Sequence, residues 1–123
     1  MKRIVVIDAN KRDLKLISSL LRRENFDVFE FTSGLEGMNW LKNNKSDGCF
    51  VDLQLPIING VEILNEIHSD ERHTSTKVIC MYTQLNCGEQ TIFEYGFDGY
   101  VLKPINSKLL LDEIKRIIDY TIA

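Results

Sequence analysis

The sequence predicts an α/β protein, a doubly wound five-stranded parallel sheet with five helices on its two faces. Short runs rich in β-branched and aromatic residues alternate with longer stretches whose apolar residues recur at helical spacing. Capping residues begin four of the helical stretches. The 123 residues are the size of one domain, and the sequence contains no internal repeat, low-complexity tract or linker.

The predicted strands cover residues 3–7, 27–31, 48–51, 77–82 and 99–102. Between them, apolar residues three or four positions apart mark the helices. The stretch 87–95 is the weakest helix prediction, since it carries only Ile92, Phe93 and Tyr95. The markers of the other helices are Leu14, Ile17, Leu20 and Leu21; Leu35, Met38 and Leu41; Val61, Leu64 and Ile67; and Ile114, Ile117 and Ile118.

Four predicted helix starts carry a polar residue that is followed three positions later by an acid. The polar side chain accepts hydrogen bonds from first-turn amides, and the acid faces the positive end of the helix dipole. The pairs are Asn10 with Asp13, Ser33 with Glu36, Asn59 with Glu62, and Asn86 with Glu89.

Alternating strands and helices imply parallel strands joined by right-handed crossovers. We expect the flavodoxin-like strand order 2-1-3-4-5. In that order a crevice forms at the carboxyl ends of strands 1 and 3, where the winding reverses. Residues that follow these strand ends are therefore the first candidates for a functional site.

Four polar residues follow the strands near this crevice, namely Asp8, Asp52, Thr83 and Lys103. Taken singly, each has an ordinary explanation as a turn former, a strand residue or a solvated charge. Together they favour phosphoryl transfer. One carboxylate can attack phosphorus, the other can help to hold a divalent cation, and the ammonium and hydroxyl can bind the transferring oxygens.

Four segments carry a more specific signal: IVVIDAN at 4–10, VDLQLPIING at 51–60, YT at 82–83 and GFDGYVLKP at 96–104. Together they resemble the receiver domain of bacterial response regulators, including the stand-alone, chemotaxis-regulator-like kind. The resemblance extends over essentially the whole chain, so we expect one receiver domain over residues 1–123.

The resemblance implies that Asp52 is the phosphoacceptor, and that a histidine kinase or histidine phosphotransfer protein supplies the phosphoryl group. It also implies a Mg²⁺ site formed by Asp8, Asp52 and the backbone carbonyl of Gln54. A protein with this activity is a signalling switch in two-component signal transduction and is not an enzyme that turns over an external substrate.

The resemblance further implies a conformational switch. Thr83 corresponds to the hydroxyl that moves toward the phosphoryl group, Lys103 to the lysine that pairs with that group, and Tyr100 to the aromatic residue that then turns inward. Pro104 follows Lys103 where the family often has a cis peptide bond, and Gly60 is expected to supply a backbone conformation that other residues resist. Downstream proteins are expected to bind the face formed by helix 4, strand 5 and helix 5.

Ala9 departs from the family pattern, which usually places a second acid there. We therefore expect Mg²⁺ to bind weakly, with water or Asp8 taking the free coordination position. Gln84 replaces a smaller residue and is expected to narrow access to the site. Ala9 also motivates an alternative function, a pseudo-receiver that binds proteins independently of phosphorylation.

Composition limits the other classes of function. The net charge of −3, with acids and bases interleaved, argues against direct binding to nucleic acid or to an anionic membrane. Cys49, Cys80 and Cys87 lack metal-binding spacing, and His68 and His73 lie off a common helical face, so we expect reduced thiols, a cytoplasmic location and no zinc. The sequence lacks a phosphate-binding loop, which disfavours a flavodoxin-like cofactor binder, and it leaves no room for a signal peptide before the first strand.

Overall fold

The structure, a computed structural model, describes residues 1–83 and 89–118. Its sheet has five parallel strands in the order β2-β1-β3-β4-β5, which confirms the predicted strand order. The strands are β1 (Arg3–Ile7), β2 (Asp27–Phe31), β3 (Gly48–Asp52), β4 (Lys77–Tyr82) and β5 (Gly99–Leu102).

Helices cover both faces of the sheet, as predicted. They are α1 (Lys11–Arg23), α2 (Gly34–Asn43), α3 (Gly60–His68), α4 (Glu89–Tyr95) and α5 (Ser107–Ile117), with one 3₁₀ turn at Glu71–His73. Among these elements, no helix is long and apolar enough to cross a membrane.

Alternate residues of each strand point to opposite faces and build two hydrophobic cores. Under α1 and α5, the strand residues Ile4, Val6, Phe50, Ile79, Met81 and Val101 pack against Leu14, Ile17, Leu21, Leu110 and Ile114. On the other face, Val5, Ile7, Cys49, Val51, Val78 and Cys80 pack against Leu41, Ile63, Leu64, Ile67 and Ile92.

The register of the strands aligns their carboxyl ends. Ile7 pairs with Val51, Asp52 with Met81, and Tyr82 with Leu102. The residues that follow β1, β3, β4 and β5 therefore meet at one edge of the sheet.

Three of the predicted helix caps are present. The side chains of Asn10, Ser33 and Asn59 accept hydrogen bonds from first-turn amides of α1, α2 and α3. Asn59 and Glu62 form a complete capping box, in which each side chain accepts from the other residue's backbone N–H. The fourth predicted cap, Asn86, lies outside the described residues.

Cys49 and Cys80 are buried, as the sequence predicted, and Cys49 is a free thiol. Cys49 and Cys80 lie in β3 and β4, and burial raises the pKa of the Cys49 thiol to about 12. A thiol in that state is unreactive near neutral pH. Cys87 lies outside the described residues.

Candidate functional site

Asp8 and Asp52 form matching turns at the ends of β1 and β3. The Oδ1 atom of Asp8 accepts from the Asn10 N–H at 2.9 Å, and that of Asp52 accepts from the Gln54 N–H at 2.9 Å. In each turn an aspartate accepts from the amide two residues later, which fixes the carboxylate relative to the strand. The Oδ2 atoms of both residues then face Lys103.

Lys103 connects the two strand ends. Its backbone N–H donates to the Tyr82 carbonyl at 2.7 Å, and its peptide bond to Pro104 is cis, as expected. Its ammonium Nζ lies 2.7 Å from Asp52 Oδ2 and 2.9 Å from Asp8 Oδ2. The structure thus brings three of the four predicted strand-end residues into direct contact.

A third carboxylate reaches the same ammonium. Asp13 Oδ2, from the first turn of α1, lies 3.1 Å from Lys103 Nζ. From the sequence, Asp13 was predicted only to face the positive end of the α1 dipole. Its spacing suits that role, and the sequence carries no separate signal that its side chain turns toward β5.

Burial and charge act against each other in this cluster. Burial raises the pKa of Asp8 above its ordinary value, although hydrogen bonds from Lys103 and the Asn10 amide act in the opposite direction. Burial also favours the neutral form of Lys103, but hydrogen bonds to Asp52 and Asp8 outweigh it, so the pKa of Lys103 is raised. The lysine is therefore held firmly in its charged form.

Gly60 packs against the backbone of Asp52. A Cβ atom at this position would lie 2.7 Å from the Asp52 carbonyl oxygen and 3.0 Å from the Leu53 Cα atom. The predicted reason for this glycine was wrong, because among the described glycines only Gly96 has a positive φ. Gly60 is needed because α3 begins too close to β3 for a side chain.

The turn between β3 and α3 is strained at Ile57. This residue has a φ of 70°, and the Ile58 N–H donates to the Pro56 carbonyl at 2.7 Å across it. A positive φ is unfavourable for a β-branched residue. The Ile57 side chain is also 92% exposed, so no burial compensates for the strain.

Thr83 and Tyr100 lie where the sequence predicted them. Thr83 directly follows β4 and is exposed at the same edge of the sheet as Asp52 and Lys103. Tyr100 is half-buried in β5, with its ring centroid 5.8 Å from that of Tyr82 and 5.9 Å from that of Phe93. Gln84 lies outside the described residues.

The donor set at this edge fits a hard divalent cation. Three carboxylates and one ammonium, with three negative charges and one positive, leave a formal charge of −2. Asp8 Oδ2 is fully buried and is ion-paired with the Lys103 ammonium at 2.9 Å. Oxygen ligands of this kind are those that Mg²⁺ prefers.

The carboxylates do not form a ready-made metal cage. In the part of the chain that the structure describes, no group of three or more His, Cys, Asp or Glu residues is arranged to hold an ion. The three aspartates converge on the Lys103 ammonium instead. A dication that binds here therefore competes with this lysine for the same oxygens.

Comparisons with known proteins agree with this geometry. The sequence model of the family described as "Response regulator receiver domain" matches residues 4–115. The chain is 26% identical over 115 residues to the polar-differentiation response regulator DivK of Brucella ovis, a match that covers 93% of this chain and 94% of DivK.

Two solved structures share the fold. A CheY-like response regulator receiver domain protein of Methanospirillum hungatei is 27% identical, with a TM-score of 0.85 over 99% of this chain and 97% of that chain. The receiver domain of the sensor histidine kinase PA1611 from Pseudomonas aeruginosa is 20% identical, with a TM-score of 0.84 over 96% and 98%. The latter structure has a magnesium ion coordinated in its active site cleft.

Proposed function

Since the chain belongs to the response regulator receiver domain family, we propose that it accepts a phosphoryl group on Asp52. The observation that carries this proposal is the contact between the Asp52 carboxylate and the Lys103 ammonium at a partly open edge of the sheet. The phosphodonor is a histidine kinase or a histidine phosphotransfer protein. The chain acts as a signalling switch in a two-component system.

Accessibility distinguishes the two strand-end carboxylates. The Asp52 side chain is 12% exposed, whereas that of Asp8 is 0% exposed. Only Asp52 of this pair can be approached by a donor from solvent. Its oxygen forms a bond to phosphorus as the phosphorus–nitrogen bond to the donor histidine breaks, and the electron pair of that bond returns to the imidazole.

Asp8, Asp52 and the Gln54 backbone carbonyl would hold Mg²⁺. The bound ion supplies charge neutralisation at the transferring oxygens. Lys103 supplies a second positive charge, and the turn at Asp8 and Asn10 orients the buried carboxylate. The acid missing at Ala9 weakens this site unless another carboxylate replaces it.

The proposed output is a change in a protein-binding face. Thr83 binds the phosphoryl group, Tyr100 then packs inward, and this arrangement becomes more populated because the phosphoryl group binds it better. Exposed apolar side chains on α4, β5 and α5 suit a downstream protein partner. They are Phe93, Tyr95, Leu102 and Leu109.

An NMR titration with Mg²⁺ and then beryllofluoride, a phosphoryl mimic, tests this function. Mg²⁺ should shift the amides of residues 8–10 and 52–54, and beryllofluoride should shift those of residues 52–54 and 99–103. Asp52→Asn should abolish the beryllofluoride response.

A beryllofluoride response that persists in Asp52→Asn would refute the assignment of the phosphoacceptor. A wild-type spectrum that millimolar Mg²⁺ and beryllofluoride leave unchanged would favour the pseudo-receiver, in which partner binding does not depend on phosphorylation.

A further inference from the structure

Asp13 and Glu62 occupy the same position in two helices but make different contacts. Each is the third helical residue after an asparagine cap, and each backbone N–H donates to that cap. Glu62 completes a capping box by accepting from the Asn59 N–H. Asp13 instead directs its carboxylate to Lys103, 3.1 Å away.

The turn after β1 explains why the Asp13 side chain does not form a capping box with Asn10. The Asn10 N–H, which a capping box would offer to Asp13, donates to Asp8 Oδ1 at 2.9 Å. Asp8 therefore accepts the hydrogen bond that Asp13 would accept in a capping box. The Asp13 carboxylate is therefore available to contact Lys103. The positive end of the α1 dipole also favours an anion there.

Ala9 lies in the same turn and is exposed. Its methyl group can neither bind a cation nor contribute charge. The chain nevertheless retains three carboxylates around Lys103, because Asp13 reaches the cluster from the next helix turn. The resulting formal charge of −2 is the charge that one dication neutralises.

We propose that Asp13 supplies the third carboxylate of the cation site in place of an acid at position 9, and that it thereby sets the affinity for Mg²⁺. This inference rests on the proposed function, since it concerns the same cation. It is an alternative to the weak binding expected from Ala9 alone, which stays a prediction. The site keeps its full negative charge, although the third acid comes from α1 and not from the β1–α1 turn.

Calorimetric titration of the whole chain with Mg²⁺ tests this assignment. Asp13→Asn should weaken Mg²⁺ binding about 10- to 100-fold, the range found when groups that support a metal site are removed. Asp27→Asn is the matched control. It removes an exposed carboxylate at the amino end of β2, on the opposite edge of the sheet, and should leave affinity unchanged.

A double-mutant cycle gives a second measurement. Ala9→Asp should restore most of the affinity lost in Asp13→Asn, and should improve the wild-type protein by a smaller factor, because the third carboxylate is already present there. Circular dichroism of each variant checks that it folds. The Asp13 side chain is 21% exposed and asparagine has nearly the same shape, so Asp13→Asn is compatible with folding.

The outcomes separate this inference from the proposed function. Wild-type protein that binds Mg²⁺ while Asp13→Asn binds it equally well, or more tightly, would overturn the role of Asp13 alone. Equal gains from Ala9→Asp in both backgrounds would also overturn it. Absence of Mg²⁺ binding by the wild-type protein and by Ala9→Asp would instead count against the proposed function.

Discussion

The Lys103 ammonium lies 2.7 Å from Oδ2 of Asp52, closer than to either of the other two carboxylates that it contacts. Asp52, the proposed nucleophile, is therefore also the nearest carboxylate to the Lys103 ammonium. In the proposed function, Mg²⁺ and the phosphoryl group both bind within reach of this ion pair.

Lys103→Met should destabilise the protein and tighten Mg²⁺ binding. Without the ammonium, three carboxylates repel one another in a partly buried cluster, and we expect a loss of about 2 kcal/mol at neutral pH. Urea denaturation with and without Mg²⁺ measures both effects, because the ion stabilises the variant more than the wild-type protein. A variant with wild-type stability that Mg²⁺ does not stabilise further would show that Lys103 and Mg²⁺ do not compete for these carboxylates.

Lys42→Met is the control for that measurement. Lys42 pairs with Glu66 at 3.8 Å on the surface, where both side chains are well exposed. Such pairs contribute about 0–1 kcal/mol. The control should therefore lose little stability and gain no response to Mg²⁺.

Asp8→Asn should stabilise the protein at pH 7. The pKa of Asp8 is raised in the folded state, chiefly by burial, so folding disfavours its ionised form. This cost is present above the raised pKa and disappears as the pH falls below the ordinary value of about 3.9. Unfolding measured between pH 7 and pH 4 should show the advantage of the variant shrinking. An advantage that grows toward low pH would refute this explanation.

Gly60→Ala should destabilise the protein although alanine is the better helix former. Helix propensity alone predicts a gain of about 1 kcal/mol. The added Cβ would instead lie 2.7 Å from the backbone oxygen of Asp52, and relief of that overlap costs about 1–3 kcal/mol. The amides of Asp52 and Leu53 should shift in NMR spectra. Stabilisation with unchanged amides would show that the contact is looser than described.

Ile57→Gly should stabilise the protein by up to about 1 kcal/mol. Glycine adopts a positive φ without strain, and the strain removed from the folded state exceeds the conformational entropy that glycine adds to the unfolded chain. The exposed isoleucine loses no buried contact in this change. Chemical denaturation measures the effect. A clear loss of stability would mean that the side chain has contacts that offset its backbone conformation.

The alternating pattern of the sequence was sufficient to predict the sheet and most of the site. Asp52 and Lys103 could be placed together because parallel strands align their carboxyl ends, and because each residue directly follows a recognisable strand. The strand bounds agree to within one residue, since each run is bordered by polar or turn-forming residues.

The contact between Asp13 and Lys103 could not be predicted from the sequence, because it depends on which acid accepts the Asn10 N–H in the folded protein. Its position after Asn10 is that of an ordinary capping acid, and Glu62 at the equivalent position behaves as one. The difference arises because Asp8 takes the Asn10 N–H, which depends on the turn that β1 makes. Gly60 was similarly misinterpreted, since the distance between α3 and β3 cannot be obtained from sequence.

Mass spectrometry of the intact protein after incubation with acetyl phosphate tests the central claim most directly. The wild-type chain should gain the mass of one phosphoryl group in the presence of Mg²⁺ and lose it on hydrolysis, and Asp52→Asn should gain none. Equal phosphorylation of Asp52→Asn, or no mass change in wild-type protein at saturating Mg²⁺, would contradict the assignment of Asp52 as the phosphoacceptor.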